Sequence, residues 1–258
     1  AGCSHAVIEM TSEGAAQHRH RFLSLDALVF TNLAPEHIES HGSFKAYRDA
    51  KLSIARSLAR SRKPNRIMVA NSNDPAGERF LATAAPAREA PFSLKDAEPY
   101  QILSDGLAFV FAGTPMRSPL RGQFNLSNIL ATVVLTSALD VDVEVIKRAI
   151  ESFAGVPGRM EYVREGQPFN VIVDYAHTPD SLKNVYEFLS AKCKVQSAKL
   201  LCVLGATGGG RDKWKRPEMG KIAAVYCDRI FITNEDPYDE QPEAIITDIE
   251  KGIQGPAK

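Results

Sequence analysis

Net charge is absent from this sequence: its 258 residues carry 31 Lys plus Arg against 31 Asp plus Glu. No overall field therefore favours nucleic acid or an anionic membrane, and any phosphate binding must be local. Cysteine is sparse. The four, at positions 3, 193, 202 and 227, make no CxxC pair and no zinc spacing, so they imply no disulfide framework and read as reduced thiols of a cytoplasmic protein. No apolar run is longer than residues 107–112, far too short to span a bilayer, and the N-terminus lacks the basic and apolar regions of a signal peptide. Solenoid repeats and low-complexity tracts are missing too. What is present, 44% hydrophobic and 24% charged residues, suits a globular protein with one large or two medium domains. The first residue is alanine, almost directly ahead of a strand-like run, as expected of a fragment or processed piece.

Strand-like and helical segments alternate. Residues 6–10, 27–33, 66–71 and 108–112 are short apolar or β-branched runs bounded by polar or Gly/Pro punctuation, and they predict a central sheet. Residues 129–139 and 143–153 carry helical spacing. "AGVPGR", residues 154–159, then breaks the pattern with two glycines and a proline, which places a boundary between domains 1–156 and 157–258. The second half restarts with the strand-like "FNVIVDYAH", after which Thr178 can cap a helix whose first residue is Pro179. Two further strand, loop and helix units follow, with Pro217 and Pro242 opening their helices. Three such units predict an α/β fold with a parallel, Rossmann-like sheet whose strand ends bring residues 174–177, 205–211 and 234–238 to one crevice.

Several residues could carry chemistry. "GATGGGRD" places Gly205 and Gly210 at phosphate-loop spacing, but Arg211 and Asp212 stand where the phosphate-binding Lys and the magnesium-binding Ser or Thr belong, so a Walker A site is rejected. The loop reads equally as a plain strand-to-helix turn or as a ligand site, and the basic "RDKWKRP" after it as a solvated face or as a place where Arg211 forks onto a carboxylate. Glu9 and Glu13 with "QHRHR", and His37 with His41, are either metal-ligating or ordinary hydrogen-bonding groups. Lys51 is more unusual. Phe44, Tyr47, Ile54 and Leu58 trace an apolar helical stripe, and the position that completes it is this lysine. A buried, unpaired ammonium is expensive, so its side chain either snorkels to water or is chemically altered.

Seven segments, "IEMTSEGAAQHR", "VFTNLAPEHIESHGSFKAYRDAK", "LRGQFNLSN", "GVPGRME", "VDYAHTPDSL", "GGGRDKWKRPEMG" and "TNEDPYDEQP", together resemble the Mur ligase family, and in order and spacing its branch that adds the third amino acid of the peptidoglycan stem. The resemblance covers nearly the whole chain. It implies the later part of a central ATPase-type α/β domain, residues 1–156, followed by the first part of a Rossmann-like C-terminal domain, residues 157–258. It also implies an activity: ATP converts a carboxylate of a UDP-N-acetylmuramoyl dipeptide to an acyl phosphate, which the amine of a free diamino acid attacks to give an amide, ADP and phosphate. By the same resemblance Lys51 is the lysine that reacts with carbon dioxide, and its carbamate holds Mg2+ together with Glu9 and His37. Thr11, Gln17 and Arg19 match contacts to the UDP-muramoyl peptide, with Thr11 in place of the usual serine. Asn128 matches an adenine contact, Arg159 and Asp174 match phosphate and ribose contacts, and His177 lies near the phosphates. Arg211, Glu235, Asp236 and Tyr238 match the pocket for the incoming amino acid.

The departures from the family are informative. Glu36 replaces the usual aspartate before His37, and "EDPY" stands where diaminopimelate-adding members have "DNPR". Loss of that arginine removes a bidentate carboxylate clamp and favours a substrate with a cationic distal end. The N-terminal UDP-binding domain and the GTxGKT phosphate loop of the family are not in these residues, so the isolated chain is expected to be inactive. A complete protein is expected to be a monomeric, cytoplasmic enzyme without nucleic-acid or membrane partners. Two alternatives stand beside it: a ligase like folylpolyglutamate synthase, and a noncatalytic nucleotide- or peptide-binding module.

Overall fold

Short apolar runs become a parallel sheet in the computed structural model, which describes residues 2–254. The chain runs through α1 (Ser12–Ala16), β1 (Ala27–Phe30), α2 (Ile38–His41), α3 (Phe44–Ala59), β2 (Ile67–Asn71), α4 (Gly77–Ala84) and β3 (Arg88–Phe92), and the three strands pair in parallel in the order β1-β2-β3. Every residue of the middle strand β2 is buried. Its side chains alternate between two cores, as the two-residue period of a strand requires. Met68 and Ala70 join Leu52, Ala55 and Leu58 of α3 and Phe80 of α4, where Phe30 and Phe80 stack with ring centroids 4.0 Å apart. Ile67 and Val69 join the other core.

That second core is completed by β4 (Gln101–Ile102), β5 (Leu107–Phe111), β6 (Thr114–Ser118), α5 (Gln123–Ala138) and α6 (Val143–Ser152). The first three of these form an antiparallel sheet in the order β4-β5-β6. Leu126, Leu130 and Val133 of α5 lie against Ile67, Val69, Leu107 and Phe109 in this cluster. Burying a side chain of this size stabilises the fold by about 1.5–3 kcal/mol.

The chain divides into two compact units. One comprises the residues up to Leu33 together with Ser43–Phe153; the other comprises Ala34–Gly42 and the residues from Ala154 onward. In the second unit lie β7 (Glu161–Val163), β8 (Val171–Val173), α7 (Pro179–Val195), β9 (Leu201–Leu204), α8 (Lys215–Tyr226), β10 (Arg229–Ile232) and α9 (Pro242–Glu250). Thr178 caps α7 by accepting from Ser181 N, with Pro179 at the first helical position, where its missing N–H has no partner to lose. Strands β9 and β10 pair in parallel. Helices α8 and α9 approach so closely that a Cβ on Gly220 would sit 2.1 Å from the Ile249 carbonyl oxygen.

Four expectations need correction. Residues 6–10 are not a strand: none of the described strands pairs with them, and Val7 is 100% exposed. The predicted strand 27–33 ends at Phe30 because side chains take over from the ladder. Asn71 Nδ2 donates to the Thr31 carbonyl at 2.8 Å and Leu33 N donates to Asp74 Oδ2 at 2.7 Å. The helix predicted from residue 129 begins at Gln123, directly after Gly122 with φ +86°. Strand β8 pairs antiparallel with β7, so two of the three predicted units, not all three, share the parallel ladder.

Candidate functional site

Two carboxylates tie Ala34–Gly42 to the start of α8. Asp212 is 4% exposed, and its two oxygens accept from Ile38 N at 3.1 Å and Glu39 N at 2.9 Å, the unpaired donors at the start of α2. Glu39 returns the arrangement by accepting from Lys213 N at 2.8 Å and Trp214 N at 3.4 Å, just ahead of α8. Each acid thus supplies negative charge to the other helix's positive end. Between them His37 adopts the left-handed conformation, φ 54° and ψ 28°, which histidine tolerates better than most residues.

The same segment presents Glu36 to His177. Glu36 Oε1 lies 3.3 Å from His177 Nε2 and 3.6 Å from His37 Nε2, and His177 Nδ1 faces the Tyr175 carbonyl at 2.9 Å. The bond to His177 holds the Glu36 carboxyl below its ordinary range, and the same bond raises the imidazole of His177. Upstream, Asp174 accepts from Met160 N and from Ala176 N, both at 2.8 Å, one per carboxylate oxygen. Arg159 lies over the Tyr175 ring, 4.4 Å from its centroid.

The glycine loop closes on protein backbone. Gly208 N donates to the Asp236 carbonyl at 3.0 Å, and a Cβ there would meet the Pro237 oxygen at 2.2 Å. At Gly209, with φ +63°, a Cβ would come within 2.8 Å of the Tyr238 ring. Glycine is demanded here by the neighbouring "EDPY" loop, which it brings beside residues 205–211 as the sequence predicts. Glu235, Asp236 and Arg211 are exposed, and so is Tyr238, at φ 52°. The basic stretch after the loop is not simply a solvated face. Arg216 is 1% exposed and forks onto Glu240 at 2.9 and 3.0 Å, with a third bond to Asp248 at 3.2 Å. Lys213 joins Glu240 at 3.0 Å.

The remaining predicted residues belong to the first unit. Thr11 caps α1, its Oγ1 accepting from Gly14 N at 3.0 Å, while Gln17 ends that helix and, like Arg19 and Glu9, is exposed. Asn128 lies exposed on α5, donating to Asn125 Oδ1 at 3.3 Å. Lys51 is half-buried on α3, its Nζ 5.4 Å from the centre of the Tyr47 ring. The buried face of α3 runs through Tyr47, Leu52, Ile54, Ala55 and Leu58, so Lys51 borders the stripe and Phe44 falls outside it. Among the described residues no group of three or more His, Cys, Asp or Glu is gathered to hold a metal ion. No described helix is long and apolar enough to cross a membrane. Sequence reasoning missed Asp212, Glu39, Arg216 and Glu240 as architects of the site, and it noted Glu36 only as a departure.

Comparison with known proteins bears on these residues. Residues 1–136 match the Mur ligase middle domain and residues 158–257 the Mur ligase, glutamate ligase domain. The UDP-N-acetylmuramoyl-L-alanyl-D-glutamate--2,6-diaminopimelate ligase of Trichormus variabilis is 39% identical, over 98% of this chain and 52% of its own length. The UDP-N-acetylmuramyl-tripeptide synthetase of a Roseiflexus species is 36% identical, over 100% of this chain and 53% of its own. A solved UDP-N-acetylmuramoyl-L-alanyl-D-glutamate--2,6-diaminopimelate ligase is similar with a TM-score of 0.58 at 26% identity, over 95% of this chain and 51% of that one. The chain spans about half the length of the curated relatives it matches.

Proposed function

The chain belongs to the Mur ligase family, and from that premise we propose that the protein containing it is an ATP-dependent ligase joining the third, diamino, acid to UDP-N-acetylmuramoyl-L-Ala-D-Glu through an acyl phosphate. The observation that carries this reading is the gathering, within the second unit, of the Glu36–His177 pair, the glycine loop and the "EDPY" loop: the segment bearing Glu36 is capped by Asp212, directly after the glycine loop, and Gly208 N in that loop donates to the Asp236 carbonyl. ATP supplies the γ-phosphoryl group that activates the carboxylate, and Mg2+ offsets the clustered charge.

The roles follow the chemistry of each side chain. Asp174 spends one lone pair of each oxygen on backbone N–H groups and keeps others for ribose hydroxyls. Arg159 and His177 take phosphate oxygens and Asn128 the adenine. Thr11, Gln17 and Arg19 hold the UDP-muramoyl peptide; Arg211, Glu235, Asp236 and Tyr238 hold the incoming amino acid. Glu9 and His37 offer a metal two donors. An ammonium at Lys51 offers none, whereas its carbamate adds carboxylate-like oxygens of the kind magnesium prefers. By the family resemblance, carbamylated Lys51 with Glu9 and His37 is the proposed magnesium set.

The test is ADP release by the full-length protein, with the product weighed by mass spectrometry. Amide formation that requires ATP, the UDP-muramoyl dipeptide and an amino acid together is expected. ADP release that ignores the dipeptide, or glutamate addition to a folate in its place, would overturn the reading.

A further inference from the structure

Arg216, the second residue of α8, is 1% exposed, and its bonds run to both loops of the proposed amino-acid pocket. On one side Nη2 donates to the Thr207 carbonyl at 3.5 Å, in the glycine loop that leads to Arg211. On the other, Nη1 and Nη2 fork onto Glu240 at 3.0 and 2.9 Å, two residues beyond the "EDPY" loop. Glu240 N donates in turn to the Pro237 carbonyl at 3.0 Å, closing a turn around Tyr238 and its positive φ. The two loops touch. Gly208 N donates to the Asp236 carbonyl at 3.0 Å, and a Cβ on Gly208 would sit 3.3 Å from Glu240 Oε1.

Stability alone does not call for an arginine here. Well-packed apolar residues often replace a buried ion pair without loss, and the Nε of Arg216 is buried with no hydrogen-bond partner, a penalty such a core would not carry. What apolar residues lack is direction: a planar fork holds its acceptors at set angles and distances. We infer that Arg216, with Glu240, is a positioning residue that fixes the separation of the two loops and so selects the incoming amino acid by length. The inference rests on the ligase reading, under which Arg211 takes the α-carboxylate while Glu235, Asp236 and Tyr238 face the distal end. A substrate must then span from one loop to the other.

The experiment measures kcat/KM in the full-length protein for 2,4-diaminobutyrate, ornithine and lysine, which lengthen by one methylene at each step, and for meso-diaminopimelate. The wild type is expected to prefer its best length over the next by about tenfold or more, the usual worth of a methylene in a fitted site. Glu240→Gln removes the charged fork, whereas Arg216→Lys removes it while leaving the Glu240 pair with Lys213 in place. Both should shrink the length preference several-fold and raise KM for the amino acid, with KM for ATP unchanged. Asp248→Asn is the control. It weakens another bond of the same guanidinium, at 3.2 Å, but from α9 and not from either loop, so the preference should hold. Each preference is a ratio within one protein, so partial loss of folded enzyme cancels, and a variant too slow to assay is titrated calorimetrically with the same compounds. A preference unshifted in both loop variants, an equal shift in Asp248→Asn, or a wild type indifferent to length overturns the assignment. A wild type that consumes no amino acid at all removes the ligase reading itself, which separates the two failures.

Discussion

Glu36 Oε1 lies 3.3 Å from Nε2 of His177, and the other imidazole nitrogen of His177 faces the Tyr175 carbonyl at 2.9 Å. Both nitrogens thus meet acceptors, an arrangement that favours the doubly protonated ring. The carboxylate reaches His177 from Ala34–Gly42, a segment far away in sequence but part of the same compact unit.

The pair has a defined pH window. His177 is raised above 6.5, so its contribution to stability is complete below 6.5 and is lost as pH climbs through its folded-state value. Glu36 is lowered below 4.5, so its contribution is complete above 4.5 and is lost as pH falls through its own folded-state value. Glu36→Gln should lower the His177 midpoint, because burial then acts without the neighbouring carboxylate. An NMR titration of the imidazole protons measures this; an unmoved midpoint would show that Glu36 does not set it.

Arg216 should be the most sensitive charged position of the second unit. Its guanidinium is 1% exposed and bonded to Glu240 and Asp248, so removing it leaves each acid with only its lysine partner, Lys213 and Lys251. Arg216→Ala is expected to cost about 1.5–3 kcal/mol, the usual size of lost charge-assisted hydrogen bonds. Denaturant unfolding followed by fluorescence of Trp214, the single tryptophan, reports on this unit. A loss under about 1 kcal/mol would place the pair with weak surface bridges.

For Lys51, an ammonium beside the Tyr47 ring and a carbamate on magnesium predict different behaviour. In the full-length protein Lys51→Ala should lower turnover by roughly 10³-fold or more if the anion organises phosphoryl-transfer charge. Added bicarbonate or a short-chain carboxylate should restore part of it. Near-normal activity in the variant would leave snorkelling over the ring as the account of this residue.

Substrate charge is the fourth expectation. Glu235 and Asp236 are exposed beside Tyr238, and Lys213 is already engaged by Glu240. A distal ammonium would be attracted there and a second carboxylate repelled. Lysine or ornithine should therefore be preferred over meso-diaminopimelate, with Tyr238→Arg shifting preference the other way. Competition for kcat/KM decides it: a tenfold preference for meso-diaminopimelate, about 1.4 kcal/mol, would refute the charge argument.

Local signals were readable in the sequence wherever the partner was also local. Thr178 and Pro179 start α7 as their chemistry dictates, and the glycine loop meets the "EDPY" loop because both follow strands of one parallel ladder. Strand β3 escaped notice because "REAPF" carries charge and a proline, which an edge strand tolerates. Residues 6–10 misled for the opposite reason: a short apolar run makes a strand only where a neighbour offers a ladder. Asp212 looked like one more charge in a basic run, since its cap serves a helix 174 positions away. Periodicity carries no information about such a pairing.

That separation also imposes an order in time. The donors of Ile38 and Glu39 meet their acceptor only after Asp212 exists, and ribosomes add roughly 5–20 residues per second. The segment bearing Glu36 and His37 therefore leaves the ribosome roughly 10–35 seconds before the carboxylate that holds it. Strands β1 and β2, whose pairing spans only 40 or so positions, can close in the meantime around a connection that still lacks its partner. Assembly of the Glu36–His177 pair is thus a late event of synthesis, set by the chain's second half.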